Sequence, residues 1–126
     1  MPYTIDREPG SNRIRYAVTG FWDVATVDRF AGQLRSEIAK AGSRPTILCD
    51  ARSFAVQARD VAERFELTML RDIVPRIDRM AVLVATMLNK LQVERGAQPA
   101  PTIRTFMHED EALAWLDGGT EQRLVA

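Results

Sequence analysis

The residues able to do chemistry gather at the ends of short apolar runs. Leu48-Cys49-Asp50-Ala51-Arg52-Ser53-Phe54 delivers an acid, a cation and a hydroxyl within four positions. A serine hydroxyl becomes a nucleophile only with a base beside it, and the single histidine, His108, closes a different apolar run. In a parallel sheet His108 would approach Asp50 only from a neighbouring strand. The chain has no Gly-x-Ser-x-Gly turn to expose a serine. The spacing therefore favours Asp50 as an acceptor for loop N–H groups and Ser53 as a local turn former. A non-enzymatic protein is expected.

The run His108-Glu109-Asp110-Glu111 brings together four side chains that bind metals. Consecutive residues at a helix start point in different directions, whereas ligands at i and i+4 share a face. Acids in a first turn also complement the helix dipole. Capping is the expected role, and neither a metal nor a cofactor is called for. Gly20 stands alone after its apolar run, so neither glycine-rich phosphate pattern is present. Cys49 is the one cysteine and lies inside an apolar run. It cannot form a disulfide within the chain, and a thiolate zinc site would lack ligands. It reads as a small buried hydrophobe.

Charge and length narrow the field further. Lys plus Arg balances Asp plus Glu at 17 each, which gives no long-range attraction to nucleic acid or anionic membrane. Fifteen of those cations are Arg and two are Lys. A compositional bias accounts for this, and bidentate Arg recognition of phosphate or carboxylate is the alternative. No stretch approaches the roughly 20 apolar residues of a membrane span. The first residues, MPYTIDREPG, lack an apolar signal core. A cytoplasmic protein is expected. With 126 residues, one domain with its own core is expected.

The elements that must position these groups follow from periodicity. Residues 3–7 and 13–19 alternate and are joined through Pro9-Gly10, which predicts an antiparallel hairpin. Val24, Val27, Phe30, Ala31, Leu34 and Ile38 form one helical stripe, with Asp23 as its N-cap and Gly42 at its C-terminal end. Pro45 to Asp50 is a continuous apolar strand that ends at Asp50, with Arg52 and Ser53 in the loop after it. Residues 59–72 read as a helix that Pro75 stops or kinks. Residues 80–85 form the most hydrophobic strand, expected at the centre. A short helix around Leu88 and Leu91, a strand at 102–107 and a helix at 109–117 follow. The order β-β-α-β-α-β-α-β-α predicts a single α/β domain over residues 1–117. Its five-stranded sheet is mainly parallel with an N-terminal antiparallel strand, and 118–126 is a tail.

In such sheets ligands meet the carboxyl ends of the strands, here near Gly20, Asp50, Ala85 and Met107. The surface around Asp50, Arg52, Ser53 and Gln57 is the expected docking site. Phe21 and Trp22 precede the first helix, and one of them is expected to staple onto its first turns. Trp22 is the candidate partner anchor if it is exposed, since interface hot spots favour Trp.

The chain resembles the SpoIIAA-like branch of the STAS domains. The resemblance rests on the element order, the strand ending in Asp50, the helix start Gly20-Phe21-Trp22-Asp23, and the closing Phe106-Met107-His108-Glu109-Asp110-Glu111-Ala112-Leu113-Ala114-Trp115-Leu116. It implies a regulatory fold, related in outline to lipid-binding SEC14-type domains, that works through another protein. It also implies a phosphorylated serine at the start of the second long helix. That segment is Ala55-Val56-Gln57-Ala58 here, with no Ser, Thr or Gly, and Ser53 lies too early to match. The expected function is a non-enzymatic bacterial regulatory or protein-interaction domain without the phosphoserine switch. Its partner would be another protein, a second copy of the chain included. The alternative is a domain that binds a small lipid-like or apolar ligand, suggested by Phe54, Phe65 and Met69 near a strand end.

Overall fold

The structure is a computed structural model and describes residues 2–97 and 102–118. The sheet has strands β1 (Tyr3–Arg7), β2 (Arg13–Gly20), β3 (Thr46–Phe54), β4 (Arg79–Leu83) and β5 (Ile103–Phe106). They lie side by side in sequence order, with β1 antiparallel to β2 and the other pairs parallel. The helices are α1 (Val24–Lys40), α2 (Arg59–Thr68), α3 (Met87–Ala97) and α4 (Glu109–Leu116). The predicted fold class stands: one α/β sheet in the predicted element order. The part of the expected tail from residue 119 on lies outside the described residues.

Period-two alternation divides the sheet residues between two cores. Ile14, Tyr16 and Val18 of β2 point to one face with Ile47 and Cys49 of β3 and Met80 and Val82 of β4. That face is covered by α1, whose stripe buries Thr26, Val27, Phe30, Ala31, Leu34 and Ile38, and by α2. The opposite face is smaller. Leu48, Ala81 and Leu83 pack there on Ala112, Trp115 and Leu116 of α4. β4 is apolar on both sides because both faces are covered there, as in an interior parallel strand.

The helix ends follow local rules. Asp23 caps α1, its Oδ1 accepting from the Thr26 N–H at 2.8 Å, and Gly42 takes φ +77° just past the last turn, the left-handed conformation that glycine supplies without strain. The second long helix departs from expectation. It is α-helical only to Thr68, continues as a π turn over Met69–Ile73 and tightens to a 3-10 turn at Val74–Arg76. Pro75 has no N–H to continue the α ladder. The Val74 N–H reaches back to the Met69 carbonyl instead.

Two further expectations are corrected. β3 does not stop at Asp50 but runs on to Phe54, so Arg52 and Ser53 are strand residues rather than loop residues. β2 extends past the end of β4 and supplies the partners, Thr19 opposite Ser53 and Gly20 opposite Phe54, after a register shift between Ala17 and Thr19. The central position belongs to β3, with β4 beside it. Hydrophobicity reports burial on both faces, which any interior strand has, and does not rank strands by position.

Candidate functional site

Because β2 to β5 run parallel, their carboxyl ends share one edge of the sheet. With strands about 4.8 Å apart, the four loops leaving them form a continuous row. Asp50 and Arg52 meet there. Two residues apart on one strand, they share a face. The Arg52 guanidinium donates from Nε to Asp50 Oδ1 at 2.9 Å and from Nη2 to Oδ2 at 2.8 Å. Asp50 Oδ1 also accepts the Arg52 backbone N–H at 3.1 Å, which is the ordering role expected of it.

Glu109, the first residue of α4, completes the cluster. Its carboxylate accepts from Arg15 Nη2 at 3.0 Å and lies 3.8 Å from Arg52 Nη2. Two guanidinium groups and two carboxylates therefore balance on the α4 face. The bidentate bond from Arg52 holds the Asp50 carboxyl below the usual carboxylate range despite partial burial. The bond from Arg15 does the same for Glu109. This arrangement is saturated: each acid is occupied by a cation, and neither is poised to accept a proton at neutral pH.

The network has a pH signature. Both carboxyls ionise more readily folded than unfolded, so on acidification the unfolded chain takes up protons first. Their contribution is fully present above the unfolded values near pH 4 and is lost as pH falls through the lower folded values. The pairs are part-exposed, so each is worth only about 0.5 kcal/mol. Urea unfolding at pH 7 and pH 3 should show this loss, with a smaller pH difference in Asp50→Asn. Equal pH differences in the two proteins would show that the network contributes nothing.

The remaining predicted site residues are placed as follows. Ser53 is exposed near the end of β3. His108 is exposed and follows β5, which β4 separates from β3, so Asp50 and His108 come from strands that are not neighbours. Trp22 is 7% exposed, whereas Phe21 is 80% exposed. Trp22 packs on Phe54 and Phe65, with ring centroids 5.1 and 5.8 Å away, and its Nε1 donates to the Thr19 carbonyl at 3.0 Å. Cys49 is buried, and burial raises its thiol pKa to about 12. Among the described residues no group of three His, Cys, Asp or Glu is placed to hold a metal ion.

Gln57 has a role that its position alone did not reveal. Its amide joins the β2–α1 loop to the β3–α2 loop. Oε1 accepts the Trp22 N–H at 2.7 Å, and Nε2 donates to the Gly20 carbonyl at 2.8 Å and the Ala55 carbonyl at 2.6 Å. Gly20 adopts φ +70°, which turns the chain from β2 toward α1 as few other residues can. Gln57→Ala should lower the unfolding free energy by about 2 kcal/mol, since it removes three bonds and leaves a half-buried N–H unpaired. Urea denaturation measures this, and Gln57→Glu, which keeps the acceptor but sets a carboxylate oxygen against the Gly20 and Ala55 carbonyls, should lose at least as much. A loss below about 0.5 kcal/mol would mean that water replaces the amide freely.

Exposed apolar side chains mark the same edge. Phe21 follows β2, Val56 follows β3, Met87 and Leu88 open α3 after β4, and Met107 follows β5. Beneath α2, on the α1 face, lies a cavity of about 340 Å³ whose lining includes Tyr16, Cys49, Phe54, Phe65 and Met69. The three residues that suggested an apolar ligand, Phe54, Phe65 and Met69, all border it.

No protein-family model matches the sequence, and no curated protein matches it. Solved structures do. An uncharacterized protein of the DUF3478 family with a SpoIIAA-like fold, from Shewanella loihica PV-4, superposes with TM-score 0.71 at 16% identity, over 90% of this chain and 91% of that one. The anti-sigma factor antagonist SpoIIAA in its unphosphorylated form gives TM-score 0.64 at 14% identity, over 92% and 96%. An anti-sigma factor antagonist from Mycobacterium paratuberculosis gives 0.60 at 13%, over 91% and 94%. The α/β fold of this chain is SpoIIAA-like, the fold its sequence resembles.

Proposed function

We propose that the chain is a regulatory domain that acts by docking another protein, without catalysis, on the edge formed by the carboxyl ends of β2 to β5. The observation that carries this reading is the row of exposed apolar side chains there. Phe21 at 80% and Val56 at 62% exposure lie on two successive loops of one edge, and Leu88 at 63% lies in the first turn of α3 beside them. Large exposed apolar groups gathered on one side of a soluble domain mark interaction sites. The saturated ion-pair network beside them supplies a polar border. Two of the similar structures are anti-sigma factor antagonists, so an anti-sigma factor is the class of partner to test first.

No phosphoserine switch is part of this reading. The residue that joins the two loops is Gln57, whose amide bonds are all internal. Ser53→Asp should accordingly leave docking within about twofold of wild type, a change of about 0.4 kcal/mol.

The test places a photo-crosslinking amino acid at Phe21 and, as a control, at Ala39 on the exposed side of α1. Position 21 should capture one regulatory protein, identified by mass spectrometry, and Val56→Asp should abolish the adduct. Identical adducts from positions 21 and 39, or none from position 21, would refute docking at this edge.

A second reading, a domain for a small apolar ligand, is favoured by the cavity beneath α2.

A further inference from the structure

The cavity arises from an imbalance along one sheet face. α1 fully buries six residues against the sheet, whereas α2 fully buries only Val61. Opposite α2 the sheet presents small side chains, Cys49 and Ala51, and α2 contributes Ala62. Phe65 of α2 and Met69 of the π turn that follows it border the space without filling it. Interiors are normally packed as tightly as organic crystals. The resulting volume, about 340 Å³, falls within the range of about 300–1,000 Å³ typical of small-molecule sites. It is also too large for one side chain of a docked protein to fill.

The lining is selective as well as apolar. Its inner polar groups are already satisfied or neutral. Tyr16 Oη donates to Met80 Sδ at 3.5 Å, the Cys49 thiol is neutral, and the Gln57 amide is engaged with Gly20, Trp22 and Ala55. A ligand head group placed deep inside would therefore lose its hydration without replacement. Fifteen arginines occur in the chain, yet neither Arg nor Lys is among the described lining residues. The one charged residue there is Glu66, on the exposed side of α2.

Resting on the apolar-ligand reading, we propose that the cavity takes a single hydrocarbon chain with an uncharged head group at its mouth, and that Glu66 discriminates against carboxylates. An alkyl alcohol fits both conditions. A fatty acid fits the interior but places its carboxylate beside the Glu66 carboxylate.

The full chain is titrated at pH 8 with the uncharged fluorophore N-phenyl-1-naphthylamine, which is then displaced by dodecanol or dodecanoate below their aggregation limits. One saturable site is expected. It should be lost in Ala51→Phe and in Ala62→Trp; the second change is on an exposed helix position, so the fold survives it. Dodecanol should displace the probe at least about fivefold more effectively than dodecanoate, the effect of one like-charge contact at about 4 Å even when fully screened by water. Glu66→Gln should bring the two ligands level while leaving dodecanol unchanged. Absence of saturable binding, or binding that persists in Ala62→Trp, overturns the apolar-ligand reading itself. Binding in which dodecanoate equals dodecanol, or in which Glu66→Gln changes nothing, leaves that reading intact and overturns the assigned head-group selectivity.

Discussion

Replacing Phe30 with alanine should lower the unfolding free energy by about 3–5 kcal/mol, the usual cost of removing a buried aromatic side chain. Its position argues for the upper part of that range. The ring is buried in α1 and makes edge-on contacts with Tyr3 at 5.2 Å, Tyr16 at 4.9 Å and Trp22 at 5.3 Å, and it stacks on Phe65 at 5.9 Å. Those partners come from β1, β2, the β2–α1 loop and α2. One side chain thus joins the hairpin, the loop that carries Phe21 and the helix that roofs the cavity. The neighbours cannot collapse into the space easily, because Trp22 is fixed by its bond to the Thr19 carbonyl and Tyr16 by the sheet. Each aromatic pair adds about 0.5–1.5 kcal/mol beyond simple burial. Equilibrium urea unfolding followed by circular dichroism measures the change, and Phe30→Leu should cost less than half as much. A loss below about 1.5 kcal/mol in Phe30→Ala would show that α1 holds by its other stripe residues and that the aromatic cluster is not cooperative.

What the sequence revealed, and what it hid, divides by the range of the interaction. The α1 stripe, its Asp23 cap, the alternating β2 and the apolar β3 were all legible, because periodicity and capping act within a few residues. The carboxyl-end edge was legible too, since a parallel sheet places those ends together whatever the side chains are. The extension of β3 to Phe54 was hidden. It depends on β2 running beyond β4, which is a property of the partner strand. That error concealed the Asp50–Arg52 pair, although a spacing of two on a strand would have placed the two side chains together. Glu109 was read as a dipole-complementing acid, and its contact with Arg15 exists only because α4 crosses to the face where β2 presents Arg15. Gln57 had no local signal at all, since its three bonds close only when two loops meet. The cavity was hidden for another reason: periodicity shows which residues face inward, but not whether they fill the space they face.

Trp115→Ala should cost about 3–5 kcal/mol by the same burial arithmetic, and it should do so on the opposite side of the sheet. α4 has eight residues, too few to be stable as an isolated helix. It therefore depends on docking through Ala112, Trp115 and Leu116 against Leu48, Ala81 and Leu83. Trp115 is the largest of the three α4 side chains buried there. Its ring lies 5.7 Å from Phe106 and carries the Arg79 guanidinium at 5.0 Å, while its carbonyl accepts from Arg79 Nη1. Removing the indole frees α4 from β4 and β5 and withdraws Glu109 from Arg15 and Arg52. Backbone hydrogen exchange separates the two faces. Amides of α4 should lose protection by the greatest factor, whereas those of α1 should fall only with global stability. Acid sensitivity should fall in the same variant, because Glu109 no longer has a folded-state partner to depress its ionisation. If α4 kept its protection, the helix would be held by contacts other than Trp115, and the ion-pair network would not depend on the second core.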